Sequence, residues 1–270
     1  MTSQELLVEI SRRPDDDAPR LAYADAVQRF EPEYAEFIRL QIARAADERA
    51  RQTRWDTPSV RELELLRVHE DEWTHYLQRY VRPAPDDPED QGSGFVRGFI
   101  GFVRMEPENF IALGLQLFEM APVQHADLYG GDEPVRPLFE YPGLARLDSL
   151  SLRGTGLDDD DAIALAASPH LARATWLDLR DNRIGNRGVE ALAAAPTMAN
   201  KVIVKLNGNP GDPTDVPHFD WDGSIPDITV SPLADEIEAT LGRRVSWFHY
   251  DWRGPRDEPD RYHARWVTRR

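Results

Sequence analysis

Histidine, serine and glycine occur where they could support catalysis, but each motif is incomplete. His69-Glu70 opens a zinc-protease motif, yet Trp73 stands where the second histidine ligand is required. Gly92-Ser93-Gly94 lies in an acidic loop, which is a poor place to hold a serine nucleophile. Gly154-Thr155-Gly156 lacks the third glycine of a phosphate-binding loop. From these motifs we predict no catalytic residue and no cofactor.

Possible metal ligands are concentrated in two places. The run Asp158–Asp161 lacks the alternating oxygen ligands and the glycine of an EF-hand loop, so a charged helix N-terminus is favoured. His249, Asp251 and His263 are close together near the C-terminus, but no spacing rule supports a metal site there. We predict no metal. A metal-dependent enzyme or ligand-binding module that uses this C-terminal His/Asp/Trp segment remains the alternative.

The bulk composition limits the class of protein. The 270 residues contain no cysteine, which excludes disulfides, thiol nucleophiles and thiolate metal sites. The 48 acidic and 32 basic residues give a formal charge of −16, which repels nucleic acid and anionic membranes. That charge favours a basic protein partner or serves solubility alone.

The distribution of apolar residues predicts a cytoplasmic protein. No apolar run approaches the roughly 18 residues of a membrane span. The start, MTSQELLVEISRR, lacks the basic-then-apolar order of a signal peptide.

A 27-residue repeat organises the middle of the chain. Leu152, Leu179 and Leu206 recur at this step, as do Leu150, Leu177 and Val204. Each copy predicts a short strand with its leucines facing inward, and a turn whose Asn side chain satisfies backbone groups. A helix follows, over 162–167 and 189–195, and a proline closes it.

The stretch from Leu177 to Leu192, LDLRDNRIGNRGVEAL, resembles the leucine-rich repeat of the ribonuclease-inhibitor-like class. The resemblance implies an α/β fold, a short solenoid with parallel strands and outer helices. Three positions depart from the pattern: Thr155 replaces the turn Asn, and Ala174 and Lys201 replace the first leucine. The alternative is an α/β sheet protein with accidental self-similarity.

The N-terminal segment predicts a helical module with helices near 19–29, from 32 and over 60–80. It resembles the bacterial repeat-companion domain through Pro14–Leu21, Tyr23-Ala24-Asp25 and Glu36–Gln41. It departs at Ala26-Val27 and at Phe30-Glu31. The resemblance implies a partner for repeats and brings no known reaction.

Loops rich in Pro, Gly and Asp suggest the boundaries. We predict a helical module over 1–82, a solenoid over 95–231 and a C-terminal cap over 232–270. The solenoid would begin with a strand over 95–105, a helix over 107–119, a strand over 123–128 and no clear helix over 130–141. It would end with a parallel strand over 228–230. The cap would contain a helix over 232–241 and an aromatic strand over 245–252, with ligand stacking as the alternative role.

The repeat strands would display their outward residues as a grid, and exposed Trp beside Arg is typical of interface anchors. We therefore predict a non-enzymatic scaffold or adaptor whose concave face binds another protein. The alternatives are that Trp176 and Ile203 are covered by the N-terminal helices or a flanking loop, and that the chain is purely structural. The predicted partner-binding residues are Asp127, Tyr129, Ser151, Arg153, Trp176, Asp178, Arg180, Ile203, Lys205 and Asn207.

Overall fold

The computed structural model describes residues 1–51, 58–77, 93–130, 134–201, 203–215 and 229–249. The chain divides into two compact units. The first contains Met1–Met105 and Leu113–Ala126, and the second contains Glu106–Ala112 and Asp127–Asp251. No helix in the described ranges has both the length and the apolar character that a membrane crossing requires.

The N-terminal helices begin where the sequence supplies caps. Thr2 and Ser59 each form a capping box, in which the side chain accepts from a backbone N–H one turn on and a glutamate returns the bond. Asp16 caps the second helix. The helices are α1 (Ser3–Arg12), α2 (Asp17–Val27), α3 (Pro32–Arg51) and α4 (Val60–Thr74). The helix predicted over 60–80 is shorter in the structure, where α4 ends at Thr74.

Apolar side chains of the first three helices form a core with Phe99. Ile10, Ala24 and Ile38 are each completely buried in it. The rings of Tyr23 and Phe99 meet edge to face, with centroids 5.4 Å apart. The core of the first unit therefore includes a strand residue that follows the helices in the sequence.

That strand belongs to an antiparallel hairpin, β1 (Ser93–Val96) and β2 (Phe99–Met105). The single strand predicted over 95–105 is wrong because Arg97 and Gly98 have φ of 52° and 85°, and two positive φ angles make a type I′ turn. The Gly98 N–H donates to Oε1 of Gln41 at 2.7 Å, and the Gly98 carbonyl accepts from the Tyr34 hydroxyl at 3.0 Å. The turn is thus held against the helices.

A buried arginine also joins the hairpin to the N-terminal loop. Arg20 is completely buried, and its guanidinium donates to the carbonyls of Pro14 at 2.9 Å and Arg97 at 3.2 Å. It lies 5.2 Å from the centroid of the Phe99 ring. Burial, with a smaller contribution from the charge of Arg97, lowers the pKa of Arg20 to about 9. The Pro14–Leu21 motif therefore has a structural function in this unit.

Three short helices lie between the hairpin and the repeats. The predicted helix over 107–119 is two helices, α5 (Pro107–Leu113) and α6 (Gln116–Met120), because Gly114 takes a φ of 54° between them. The strand β3 spans His125–Leu128. The stretch predicted to lack a helix contains α7 (Arg136–Phe139), followed by a 3-10 turn over Pro142–Arg146.

The repeats follow as strand, turn and helix. Their elements are β4 (Ser149–Ser151), α8 (Asp159–Ala167), β5 (Trp176–Asp178), α9 (Asn186–Ala194) and β6 (Ile203–Lys205). Strands β1 to β6 form one sheet in chain order, and β4, β5 and β6 pair in parallel. The fold class is therefore mixed α/β with a mostly parallel sheet, as predicted.

The chain beyond the repeats corrects two further predictions. The strand predicted to extend the parallel sheet, β8 (Thr229–Val230), pairs antiparallel with β7 (Thr214–Asp215) in a separate sheet. The helix α10 (Pro232–Leu241) matches the predicted range and ends at Gly242 with a φ of 61°. The predicted aromatic strand is instead a 3-10 turn over Ser246–His249, and its last three residues lie outside the described ranges.

Candidate protein-interaction face

Residues that are 27 positions apart in the sequence lie opposite each other on neighbouring strands of the sheet. Leu150 pairs with Leu177, which pairs with Val204, and all three are buried. Leu152 N–H donates to the Asp178 carbonyl at 2.8 Å and Leu179 N–H to the Lys205 carbonyl at 2.9 Å. The repeat leucines therefore lie on neighbouring strands, and the predicted register is confirmed.

Asparagine side chains fix the turns after the strands, as predicted. The Asn182 amide donates to the carbonyls of Leu152 and Leu179, both at 2.9 Å, and its oxygen accepts from Leu157 N–H at 3.0 Å. Asn209 makes the equivalent bonds one repeat later, including one from Ile184 N–H at 2.9 Å. These bonds hold the residues after each strand in a fixed relation to the strand face.

The substituted copy reproduces half of this arrangement. The Thr155 hydroxyl donates to the Leu152 carbonyl at 2.8 Å. A hydroxyl at this position replaces the amide as a donor, although it lacks the reach of the Asn side chain.

Five predicted site residues, together with Ser149, alternate with the core residues on the strands. Ser149, Trp176 and Ile203 form one row, and Ser151, Asp178 and Lys205 form the next. Parallel register thus brings residues that are 27 positions apart in the chain next to each other on one face.

The first row is nearly excluded from solvent. Trp176 is 7% exposed and Ile203 is 6% exposed. The indole Nε1 of Trp176 is buried and makes no hydrogen bond in the described part of the chain. Burial of this row agrees with the alternative that Trp176 and Ile203 are covered, and differs from an open aromatic anchor.

The second row contains a tight ion pair. The Arg180 guanidinium donates to both carboxylate oxygens of Asp178 at 2.6–2.9 Å, and the Asp178 side chain is 3% exposed. Lys205 places its ammonium 5.7 Å from the centroid of the Trp176 ring. Asp178 thus holds Arg180 in position on the face.

The residues after the strands are more accessible. Arg153 donates to Asp181 at 2.6 Å, and their side chains are 54% and 50% exposed. Asn207 donates to the Asp212 carboxylate at 3.3 Å. Asp181 and Asp212, whose carboxylates bind these residues, were not predicted. Asp181 could have been found in the sequence, because it precedes the turn residue Asn182 and Asp tolerates the positive φ, here 57°, that such a turn requires.

The two remaining predicted residues lie on and after β3. Asp127 is 9% exposed and Tyr129 is half-buried. Both have further interaction partners in the structure. They are on the strand next to β4 in the sheet order.

The acidic run Asp158–Asp161 has structural partners, as its interpretation as a helix N-terminus requires. Asp158 forms a capping box with Asp161 at the start of α8, and the bond from the Asp161 N–H lowers the pKa of Asp158. Arg187 pairs with Asp160 at 2.5 Å, and Arg136 pairs with Asp161 at 2.7 Å. These carboxylates are used in capping and in ion pairs.

The C-terminal alternative has little to support it. His249 Nε2 lies 2.8 Å from a Glu238 carboxylate oxygen, while Asp251 and His263 lie outside the described residues. Burial raises the pKa of Glu238, but bonds from Val245 N–H and His249 outweigh it and lower that pKa overall. Within the described ranges, no group of three or more His, Cys, Asp or Glu side chains is placed to hold a metal ion.

Comparison with known proteins agrees with the repeat geometry. No curated protein and no solved structure matches the chain. The family model described as Leucine Rich repeat matches residues 175–193, which span β5, the Asn182 turn and most of α9. This part of the chain therefore carries a leucine-rich repeat.

Proposed function

We propose that this chain is a non-enzymatic scaffold or adaptor that binds another protein on the strand face of its repeats. The observation that carries the proposal is the register that places Ser151, Asp178 and Lys205 side by side on one face. A leucine-rich repeat suggests a protein-interaction role. The fold alone does not give function, so the proposal depends on this face.

The accessible part of the face determines how a partner would approach it. Arg153 and Asp181 are half-exposed, whereas Trp176 and Asp178 are nearly covered. A partner would therefore contact the residues after the strands before it contacts the rows on the strands. The formal charge of −16 would attract a basic protein over long range.

The remaining parts of the proposal concern the rest of the chain. We keep the predicted order of parts, a repeat-companion module (1–82), a ribonuclease-inhibitor-like solenoid (95–231) and a cap (232–270). The solenoid proper is limited to its parallel strands, because the β1–β2 hairpin belongs to the first unit and β8 to a separate sheet. The buried Trp247 and Phe248 support the cap, as does the bond from Arg243 to the Ala193 carbonyl at 2.7 Å. A cytoplasmic location stays a prediction from the sequence.

Arg153→Glu tests the proposal against a matched control, Arg187→Glu. Both arginines are more than half exposed, and each pairs with an aspartate one repeat away, Asp181 and Asp160 respectively. Arg187 lies on α9 and not on the strand face. Arg187 also lies 3.7 Å from Asp159, so Arg187→Glu disturbs at least as many ion pairs as Arg153→Glu, and only Arg153→Glu alters the proposed site.

The measurement is affinity capture from the native cell followed by titration of the captured protein with both variants. We expect Arg153→Glu to weaken binding at least about tenfold, a loss on the order of 1.4 kcal/mol, and Arg187→Glu to leave it unchanged. Equal binding by wild type and Arg153→Glu, or equal loss in both variants, would reject the strand face as the site.

A further inference from the structure

An exposed aromatic side chain stands at the turn between α2 and α3. Phe30 is 78% exposed, and its backbone N–H donates to the Val27 carbonyl at 2.8 Å, which fixes the turn. The guanidinium of Arg29 lies 5.9 Å from the centroid of its ring. A single exposed apolar residue is common on protein surfaces, so its surroundings decide whether it has a function.

An open groove adjoins this turn within the same unit. It has a volume of about 590 Å³, in the range of pockets that bind ligands or protein side chains. Pro32, Leu40 and Ala43 contribute apolar surface to its lining. The polar lining residues are Gln28, Glu33, Glu36 and Arg39, and Arg39 is paired with Asp25 at 2.7 Å. The groove thus offers apolar contact together with charged groups, most of which are paired within the unit.

The charges of the turn and the groove are complementary. Glu36 is neutralised by Arg61, which donates to both of its oxygens at 2.8 Å. Neither Arg29 nor Glu33 makes an ion pair with any residue of the described ranges. The turn therefore carries a spare cation beside an exposed ring, and the groove carries a spare carboxylate beside apolar surface.

We propose that the protein forms a symmetric dimer in which Phe30 of each copy enters the groove of the other copy. Arg29 of each copy then pairs with Glu33 of the other. Because the ring and the groove adjoin on one helix pair, a two-fold axis satisfies both at once and closes the assembly. The second copy contributes a residue that the groove lacks in the monomer. This interface uses only the first unit and is independent of the repeat face.

Sedimentation equilibrium of the full chain tests the dimer. We expect a reversible monomer–dimer equilibrium that Phe30→Ser weakens at least about 100-fold, because each dimer loses two buried rings. Leu115→Ser is the matched control, since Leu115 is 57% exposed in the same unit and lies outside the groove. A wild-type chain that is monomeric at about 0.5 mM, or a dimer that Phe30→Ser leaves intact, would overturn the proposal.

Charge reversal identifies the occupant as a second copy. At about 0.1 M salt, which screens the repulsion between two chains of formal charge −16, Arg29→Glu and Glu33→Arg are each expected to weaken association about tenfold, because each dimer contains two such pairs. The chain with both changes restores the pairs with opposite sign and should recover the wild-type constant to within about threefold. A double variant weaker than either single variant would overturn the pairing. Arg29, Phe30 and Glu33 are all exposed, so their substitution should leave the fold intact. Unfolding followed by circular dichroism checks that each variant folds.

Discussion

The carboxylate of Asp159 lies 2.7 Å from the backbone nitrogen of Gly185 and accepts its hydrogen bond. Gly185 is the N-cap residue of α9 and has no side chain that could bind the free N–H groups there. The same oxygen of Asp159 accepts from Gly188 N–H at 2.9 Å. The cap of one repeat helix is thus supplied by the preceding repeat, which couples the two repeats.

Asp159→Ala should lower the free energy of unfolding by about 1–2 kcal/mol, because two N–H groups of α9 lose their acceptor and its positive helix end loses an anion. Asp159→Asn should cost less, since the amide oxygen still accepts. Asp160→Ala is the control, because Asp160 is exposed and makes only surface ion pairs, worth less than about 1 kcal/mol. Urea titrations measure all three, and an Asp159→Ala cost no larger than that of Asp160→Ala would contradict the shared cap.

Asn182→Ala should cost about 3 kcal/mol, because it leaves buried carbonyls and the Leu157 N–H without partners. Thr155→Ala, at the equivalent position one repeat earlier, should cost only about 1 kcal/mol, since it removes one hydrogen bond. Chemical denaturation compares the two. Equal costs would show that the amide contributes nothing beyond a hydroxyl.

The repeat elements could be predicted because each copy specifies its own structure locally. The spacing of Leu150, Leu177 and Val204 sets the register, and Asp158 marks the start of α8. These signals depend on residues near each other in the sequence or at a fixed period. A short stretch therefore contains enough information to place the strand, the turn and the helix.

The hairpin turn and the burial of Trp176 could not be predicted from the local pattern of the sequence. In the sequence, Arg97 and Gly98 fit the alternating pattern of one strand. The turn at these residues is held by Gln41 and Tyr34, which bind Gly98 and lie more than 50 residues away in the chain. Likewise, an outward position on a repeat strand predicts an exposed side chain, yet Trp176 is buried. Periodicity gives the direction of a side chain and carries no information on what lies over it.

Gly98→Ala should destabilise the first unit by at least about 3 kcal/mol. A Cβ at this position would lie 2.6 Å from a side-chain carbon of Ile38 and 2.7 Å from its Cα, and φ is 85°. Gly154→Ala is the control for the cost of a positive φ alone, because Gly154 has a φ of 66° and nothing lies within 4 Å of an added Cβ. That control should cost about 1 kcal/mol. Thermal unfolding measures the loss of stability in each variant. Equal losses for Gly98→Ala and Gly154→Ala would contradict the close packing of Gly98 against Ile38.

Lys201 occupies a leucine position of the repeat and buries its ammonium group. The side chain donates to the carbonyls of Leu171 at 2.7 Å and Thr197 at 2.8 Å, and to Asn200 Oδ1 at 2.9 Å. Burial lowers the pKa of Lys201 from its ordinary 10.5 to about 8. No carboxylate is among these three acceptors, so dipoles alone stabilise the charge.

Lys201→Met should therefore change how stability depends on pH. Between about pH 8 and 10.5 the unfolded chain binds the Lys201 proton and the folded chain releases it, so this residue makes the folded state more stable as pH rises. The stabilisation is complete above 10.5 and is lost as pH falls through 8. The wild type should gain on the order of 2 kcal/mol over Lys201→Met across this window, measured by urea titration at pH 7 and at pH 10. Tyrosines that titrate at high pH are common to both chains and cancel in the difference. Parallel pH profiles for the two proteins would show that Lys201 keeps its ordinary pKa in the folded chain.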